Sequence, residues 1–522
     1  MKRAFLNKNS NLHESNTMQV ASNPFKSNVF RMKKSILFIL FTFMLWGCED
    51  FLDVNQSLDN DERTTPNFML PAVLGNMAYT HYEQGEITAY ITQYVTTEFG
   101  GNAVRDRWDY RNILRLGAWR RNYFDVSGNA NKMIQFAREE GSQNYVGVGK
   151  VMMAFSFLTA TDMFGDMPIL QAFTGIYNPT YDSQDVVYAE VEKWLDEGID
   201  ALQKAGPTNR LMTDREDHIF HGDMQKWLSF AYAIKARLKL HTANFTGNYD
   251  EVLALVDLAK AHWAEPNYQF LSNADSDWHR NPWGPSRARP QWDFVENALN
   301  SAISTNFFMH AMTLSGEHDP RLYQLTSPGK NGNYLSVPAS EGRGALSIDD
   351  FAILYNGYWT KDDSPIIFIT TEELFFIEAE AAFYANNRER AYQAYLNGVQ
   401  ANFQRLGVAS EYAAYRSSQA MAQSAAQLQI SHIMMQKYIA LYLQPETWVD
   451  MRRYHYSNQA YPQLTYPANA LPLYEGKWIQ RLPYDPQTEY IYNPNEIARL
   501  GARGDLWVVT PFWWIENSTL GN

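Results

Sequence analysis

Along most of the chain, apolar residues recur at three- and four-residue spacing, the period of a helix with one buried face. Met224, Trp227, Leu228, Ala231, Ile234 and Leu238 make one such stripe. Val186, Val187, Val191, Trp194, Leu195, Ile199 and Leu202 make another, and Ile430, Ile433, Met434, Tyr438 and Leu441 a third. Thr370 and Glu373 stand at capping-box separation and predict a helix start, while Gly407 after Leu406 supplies a C-terminal stop.

The predicted helices come in pairs with a repeat character. Ala379, Ala391, Tyr395 and Gly398 hold the small and large core positions of a tetratricopeptide unit of about 34 residues. Ala254, Leu258 and Ala261 echo the second half of that pattern after a helix over 223–245. Val191, Leu195 and Gly198 do so after a helix over 146–163. Small side chains at those offsets let paired helices approach closely. The fold expected is mainly α, with tetratricopeptide-like pairs forming a scaffold. Residues 264–295, 315–366 and the tail after Tyr461 break this period with Pro, Gly, Asn, Trp and Tyr. They predict an irregular, loop-rich half on the scaffold, the usual place for binding residues.

The N-terminal region has a different pattern. Lys33 and Lys34 precede an apolar run from Ile36 to Trp46, followed by Gly47 and the only cysteine, Cys48. The run is far shorter than the roughly 20 residues of a membrane-spanning helix. Basic residues, a short apolar run and a small residue before cysteine make an export signal with a lipidation box. Residues 32–47 are thus expected to be a lipoprotein signal peptide and Cys48 the lipidated N-terminus. Residues 48–62 form an acidic tether, and 63–522 a single binding body. Residues 1–31, ahead of Met32, are expected to have no fold role.

Charge narrows the function classes. The chain carries 44 Lys and Arg against 57 Asp and Glu. Removing residues 1–47 leaves 37 against 56, a net of −19. Such an acidic body argues against nucleic acid as a partner. A single cysteine allows no internal disulfide. The alternation of Asp53, Asn55, Ser57, Asp59 and Asp61 suggests a calcium loop, but Leu58 and Thr64 replace its glycine and glutamate. No nucleophile elbow, zinc-protease helix or phosphate loop is present, and no cofactor or metal is expected. Paired-carboxylate glycan cleavage is the enzymatic alternative, and it leaves no motif.

Aromatics make up 15% of the chain, with 15 Trp and 32 Tyr. Trp278, Trp283 and Trp292 fall in an aperiodic segment stiffened by Pro282, Pro285 and Pro290 and interleaved with Arg and Asn. Rings beside directional donors suit a sugar or peptide site, so these three are expected to form a ligand platform. Asn102, Arg105, Trp108 and Tyr110 after Gly100-Gly101 are a second candidate group. Tyr358 and Trp359, with Tyr355, are a third. By contrast, Asp450 and Arg453 share a helix face and are expected to fix packing.

Several segments, in order, carry a resemblance. Phe51-Leu52-Asp53-Val54-Asn55, Phe68-Met69-Leu70-Pro71-Ala72 and Thr161-Asp162-Met163-Phe164-Gly165-Asp166-Met167-Pro168 come first. Thr371 to Ala381, Lys437 to Leu443, Glu446 to Arg453, Arg481-Leu482-Pro483-Tyr484 and Trp513-Trp514 follow. With the lipidation box, they resemble the SusD/RagB family of outer-membrane nutrient-binding lipoproteins of the Bacteroidetes, across 48–522. Asp485 departs from the proline that family more often has there. The resemblance implies a right-handed superhelix of tetratricopeptide-like helix pairs carrying a loop-rich half. It implies lipid anchoring at the outer membrane, facing the cell exterior. Its partner would be a SusC-like TonB-dependent β-barrel transporter, covered by this protein as a lid. The expected ligand is an oligosaccharide or an oligopeptide, the clustered tryptophans favouring a glycan. Family members place ligand contacts in a loop after the first helices, where Asn102, Arg105, Trp108 and Tyr110 stand.

Overall fold

A computed structural model describes residues 64–112, 117–206, 209–271, 279–286, 299–314 and 316–521. Cys48, Trp278 and Trp292 lie outside the described residues. The long helices are α1 (Pro66–Ile91), α2 (Ser127–Glu140), α3 (Gln143–Phe164), α4 (Gln184–Gln203), α5 (Met224–Thr246) and α6 (Tyr249–Lys260). After the irregular half begins come α7 (Thr371–Tyr384), α8 (Arg388–Arg405), α9 (Ile430–Ala440) and α10 (Glu446–Arg453). No described helix is long and apolar enough to cross a membrane.

Helices α3 and α4, α5 and α6, and α7 and α8 pack against each other in chain order, as the repeat pattern predicts. Glycine sets how closely they approach. A Cβ on Gly147 of α3 would fall 2.5 Å from Leu202 Cγ of α4, and one on Gly198 of α4 would fall 3.1 Å from Val151 Cγ2 of α3. In the α7–α8 pair, a Cβ on Gly398 would sit 3.0 Å from the Phe376 ring. Ala379, Ala391 and Tyr395 are fully buried beside it. These are the repeat positions read from the sequence.

The capping box before α7 forms by half. Thr370 Oγ1 accepts from the Glu373 amide at 3.1 Å. The Glu373 carboxylate does not return to the cap; it pairs with buried Arg237 of α5 at 2.6 Å. A charge-assisted bond to the guanidinium thus replaces the cap hydrogen bond, while burial still pushes the Glu373 carboxyl up to about 7.

A chain of buried charges then ties the helices together. Glu446 bonds His241 at 2.8 Å, Lys437 meets Asp450 at 2.7 Å, and Arg453 reaches Asp450 at 3.0 Å and Glu380 at 2.6 Å. The Asp450–Arg453 pair is the packing contact that helix spacing predicts. Burial alone would raise the Glu446 carboxyl, yet His241 and Arg237 beside it hold it down at about 2.

Strands are few and short. β1 (Val95–Thr97) pairs antiparallel with β3 (Ala302–Ser304), and β2 (Asn267–Tyr268) with β6 (Ile366–Ile367). β4 (Thr313–Leu314) and β5 (Glu317–His318) form a tight hairpin. These pairings stitch the irregular segments to one another and to the end of α1.

Candidate functional site

The loop after α1 is clamped from two sides. Glu98 receives the Arg343 side chain at 2.6 Å and the Arg343 amide at 3.0 Å. Gly100, at φ +57°, backs onto the Glu341 carbonyl, where a Cβ would fall 2.5 Å from the oxygen. Only glycine fits that approach. On the other side the Leu471 amide bonds the Arg107 carbonyl at 2.9 Å, and the Tyr474 hydroxyl bonds the Trp108 carbonyl at 3.1 Å. Segments 98–110, 340–346 and 466–478 therefore share one face of the irregular half.

Within that face the sequence candidates separate by burial. Asn102 is exposed, and its amide reaches the Phe99 carbonyl at 3.4 Å. Arg105 is partly exposed, bonded to Glu86 at 2.7 Å and lying 4.8 Å over the Tyr90 ring. Trp108 and Tyr110 are buried. Trp108 is covered by Tyr466 and Trp478, each with its ring centroid 5.4 Å away. Those two half-buried rings present the aromatic surface there instead.

The expectation of a tryptophan platform is corrected at Trp283, which is 5% exposed. Its ring stands edge-on against Tyr82 of α1. The segment is held by Asn281, whose amide nitrogen donates to Ser364 O at 2.7 Å while its side-chain oxygen accepts from the Trp283 amide at 2.8 Å. An aperiodic segment can thus drive a single ring inward as an anchor. Trp359 is likewise buried, under Arg405 at 5.7 Å and against the half-buried Tyr358 at 4.9 Å. These buried rings are consumed by packing and offer no stacking face. Of the third group, Tyr358 keeps a partly exposed ring, and its amide donates to Gln324 O at 2.7 Å.

Next to Gln324 lies a cluster whose residues share no sequence spacing. Tyr323 is 53% exposed, and Tyr334 and His318 are half-exposed beside it. Ring centroids lie 5.6 Å apart for Tyr323–Tyr334, 5.1 Å for His318–Tyr334 and 6.3 Å for His318–Tyr323. Burial and the neighbouring Tyr323 push the Tyr334 phenol up. The segment is rigid underneath. Arg321 is fully buried, paired with Asp319 at 2.7 Å and bonded to Asn402 of α8 and Gln436 of α9. His318 is placed by the β4–β5 turn, where Thr313 Oγ1 meets its Nδ1 at 3.3 Å.

Flat ring faces with hydroxyl and imidazole edges, flanked by the exposed amides of Gln324 and Asn333, can bury an apolar ring face and pair polar edges together. The only signal for it in the sequence was the irregular character of 315–366. Among the described residues no group of His, Cys, Asp and Glu is arranged to hold a metal ion.

A family model described as SusD-like, starch-binding and associating with the outer membrane, matches residues 58–485. The fold is similar to that of a solved chitin-binding protein, at TM-score 0.66 and 18% identity, over 86% of this chain and 99% of that one. It is also similar to a chitin-binding SusD homologue from Flavobacterium johnsoniae, at TM-score 0.65 and 18% identity, over 86% and 98% of the two chains. A SusD/RagB family protein from Bacteroides thetaiotaomicron aligns at TM-score 0.65 and 21% identity, over 87% and 99%. Among curated proteins no sequence match is found.

Proposed function

The chain belongs to the SusD-like family, and from that premise we propose that it is a cell-surface lipoprotein that captures an oligosaccharide. It would pass the ligand to a TonB-dependent β-barrel transporter that it covers as a lid. The observation that carries this reading is the family match across 58–485, whose description is starch binding at the outer membrane. The chitin-binding relatives support a glycan over a peptide. Tyr323, Tyr334 and His318 are the rings proposed to stack on sugar. Arg105, Asn102 and Tyr358 are proposed as polar or flanking contacts, and Cys48 as the lipid site. Trp278 and Trp292 remain proposed ligand contacts from their sequence setting.

Binding without cleavage is the expected chemistry. Capture followed by closure over the barrel requires moderate affinity, because very tight binding slows release. Titration of the purified protein with malto- and chito-oligosaccharides and a peptide panel tests the reading. Saturable glycan binding with the ligand recovered intact supports it. Cleaved product without added enzyme would establish the glycan-cleaving alternative, and binding of peptides alone would overturn the ligand class.

A further inference from the structure

A cleft of about 630 Å³ lies at the N-terminal end of α1, well within the range of small-ligand sites. Its floor is aromatic and apolar: Tyr268 and Phe270, with Pro71 of α1. Tyr268 and Phe270 meet edge to face at 5.2 Å, and His218 stands edge-on to Tyr268 at 6.4 Å. Three imidazoles, from His218, His221 and His279, line the walls together with Gln269.

The walls are built rather than loose. Buried Asp217 accepts from the amides of Ile219, Phe220 and Gly222 at 2.9–3.1 Å and from the Trp227 indole at 2.8 Å. That turn leaves His218 and His221 exposed, with His221 held at φ +56°. A non-glycine residue kept in that region needs surroundings that enforce it. On the opposite wall the Leu271 amide bonds the His279 carbonyl at 2.8 Å. The floor is fixed because Tyr268 packs over Gly75, where a Cβ would lie 3.0 Å from its hydroxyl.

The chemistry of the lining selects a class of ligand. No lysine, arginine, aspartate or glutamate is among the described lining residues, although Asp214 approaches His221 at 3.5 Å. A neutral imidazole donates at one nitrogen and accepts at the other, as a sugar hydroxyl both donates and accepts. An aromatic floor with such walls fits a pyranose ring, and the described lining offers no fixed charge to a carboxylate or an amine.

We propose that the cleft formed by His218, His221, His279, Tyr268 and Phe270 is a second sugar site, sized for a mono- or disaccharide. It goes beyond the exposed rings of Tyr323, Tyr334 and His318 and beyond the loop of Asn102 and Arg105, which follows the other end of α1. Ala72 and Ile91 are separated by about 28 Å along the helix at 1.5 Å per residue. A chain with both sites engages a glycan at two separate points of its surface.

Calorimetric titration with maltose and diacetylchitobiose tests this on the full-length chain in a detergent without sugar headgroups. Ala72 is exposed on the helix at the cleft, so Ala72→Trp fills the cleft without entering the core. Tyr323→Ala disables the remote face. The expected result is residual disaccharide binding in Tyr323→Ala that weakens about tenfold or more when Ala72→Trp is added. His279→Ala is a second variant expected to weaken the same residual binding. Residual binding indifferent to both cleft variants overturns the proposal, as does none in Tyr323→Ala. Cleft-dependent binding of benzoate in place of either sugar also overturns it. Binding lost with Ala72→Trp but untouched by Tyr323→Ala supports the cleft and counts against the tyrosine face, so the two readings fail separately.

Discussion

Trp283 meets Tyr82 edge to face, with ring centroids 5.0 Å apart and planes at 87°. A Cβ on Gly85 would fall 2.5 Å from the Leu443 carbonyl and 3.3 Å from the indole edge, so this glycine leaves a notch on α1 that admits both. The ring locks the irregular half to the first helix. Trp283→Ala is expected to cost roughly 3–5 kcal/mol of folding stability, as for a large core ring. Glycan affinity measured below the new melting temperature should stay unchanged. Weakened binding with an unchanged melting curve would return Trp283 to the ligand site.

Asp450 is a hub for two buried cations, Lys437 at 2.7 Å and Arg453 at 3.0 Å. Asp450→Ala leaves both charges short of a partner in a dry interior, and breaking such a pair costs roughly 3–5 kcal/mol. Equilibrium denaturation reads the loss directly. A change under about 0.5 kcal/mol, the size of a surface substitution, would show that the network contributes little.

His81 gives stability a pH dependence. Burial lowers its imidazole from 6.5 to about 4, and Nε2 is held 2.6 Å from Gln444 Oε1. The unfolded imidazole takes its proton near 6.5 and the folded one only near 4. Between those values the unfolded chain binds more protons, so stability is present above 6.5 and falls as pH drops toward 4. The share due to His81 approaches roughly 3 kcal/mol at 1.36 kcal/mol per pH unit. Denaturation at pH 7 and pH 4.5 should show a shallower decline in His81→Gln than in the parent. Equal slopes would remove His81 as the cause.

Legibility followed the range of the interaction. The α3–α4 and α7–α8 approaches were readable because Gly198 and Gly398 recur at fixed offsets within one helix pair. Asp450 and Arg453 were readable because three residues on a helix are neighbours. Arg237 and Glu373 are 136 apart in sequence, so the pair that diverts the cap carboxylate leaves no local trace. The burial of Trp283 leaves no local trace for a related reason. Clustered tryptophans in 278–292 look exposed by their lack of period, yet Trp283 finds its notch on α1. Tyr323, Tyr334 and His318 have no common spacing and meet only because the β4–β5 turn and buried Arg321 bring their segments together.

The N-terminal pattern makes its own test. If Cys48 carries the lipid, Cys48→Ala should appear as folded protein in the soluble fraction, since no described helix can hold it in a bilayer. Fractionation in cells lacking the transporter avoids retention through that partner. A variant still sedimenting with membranes there would show that something other than the lipid anchors it.

Tyr323 separates a binding face from a packing cluster. Its ring is 53% exposed, while Arg321, two residues earlier, is fully buried and fixes the segment to α8 and α9. Truncating the ring therefore leaves the anchor intact. Tyr323→Ala should change folding stability by no more than about 0.5 kcal/mol, the usual range for a surface position. If the ring stacks on sugar, the same change should cost roughly 1–3 kcal/mol of glycan affinity, on the order of an aromatic anchor. Tyr323→Phe keeps the face and removes only the hydroxyl, so it should recover most of the loss. Unchanged affinity in Tyr323→Ala, with melting also unchanged, would exclude this ring from the site and move the glycan toward Tyr466 and Trp478 over Trp108.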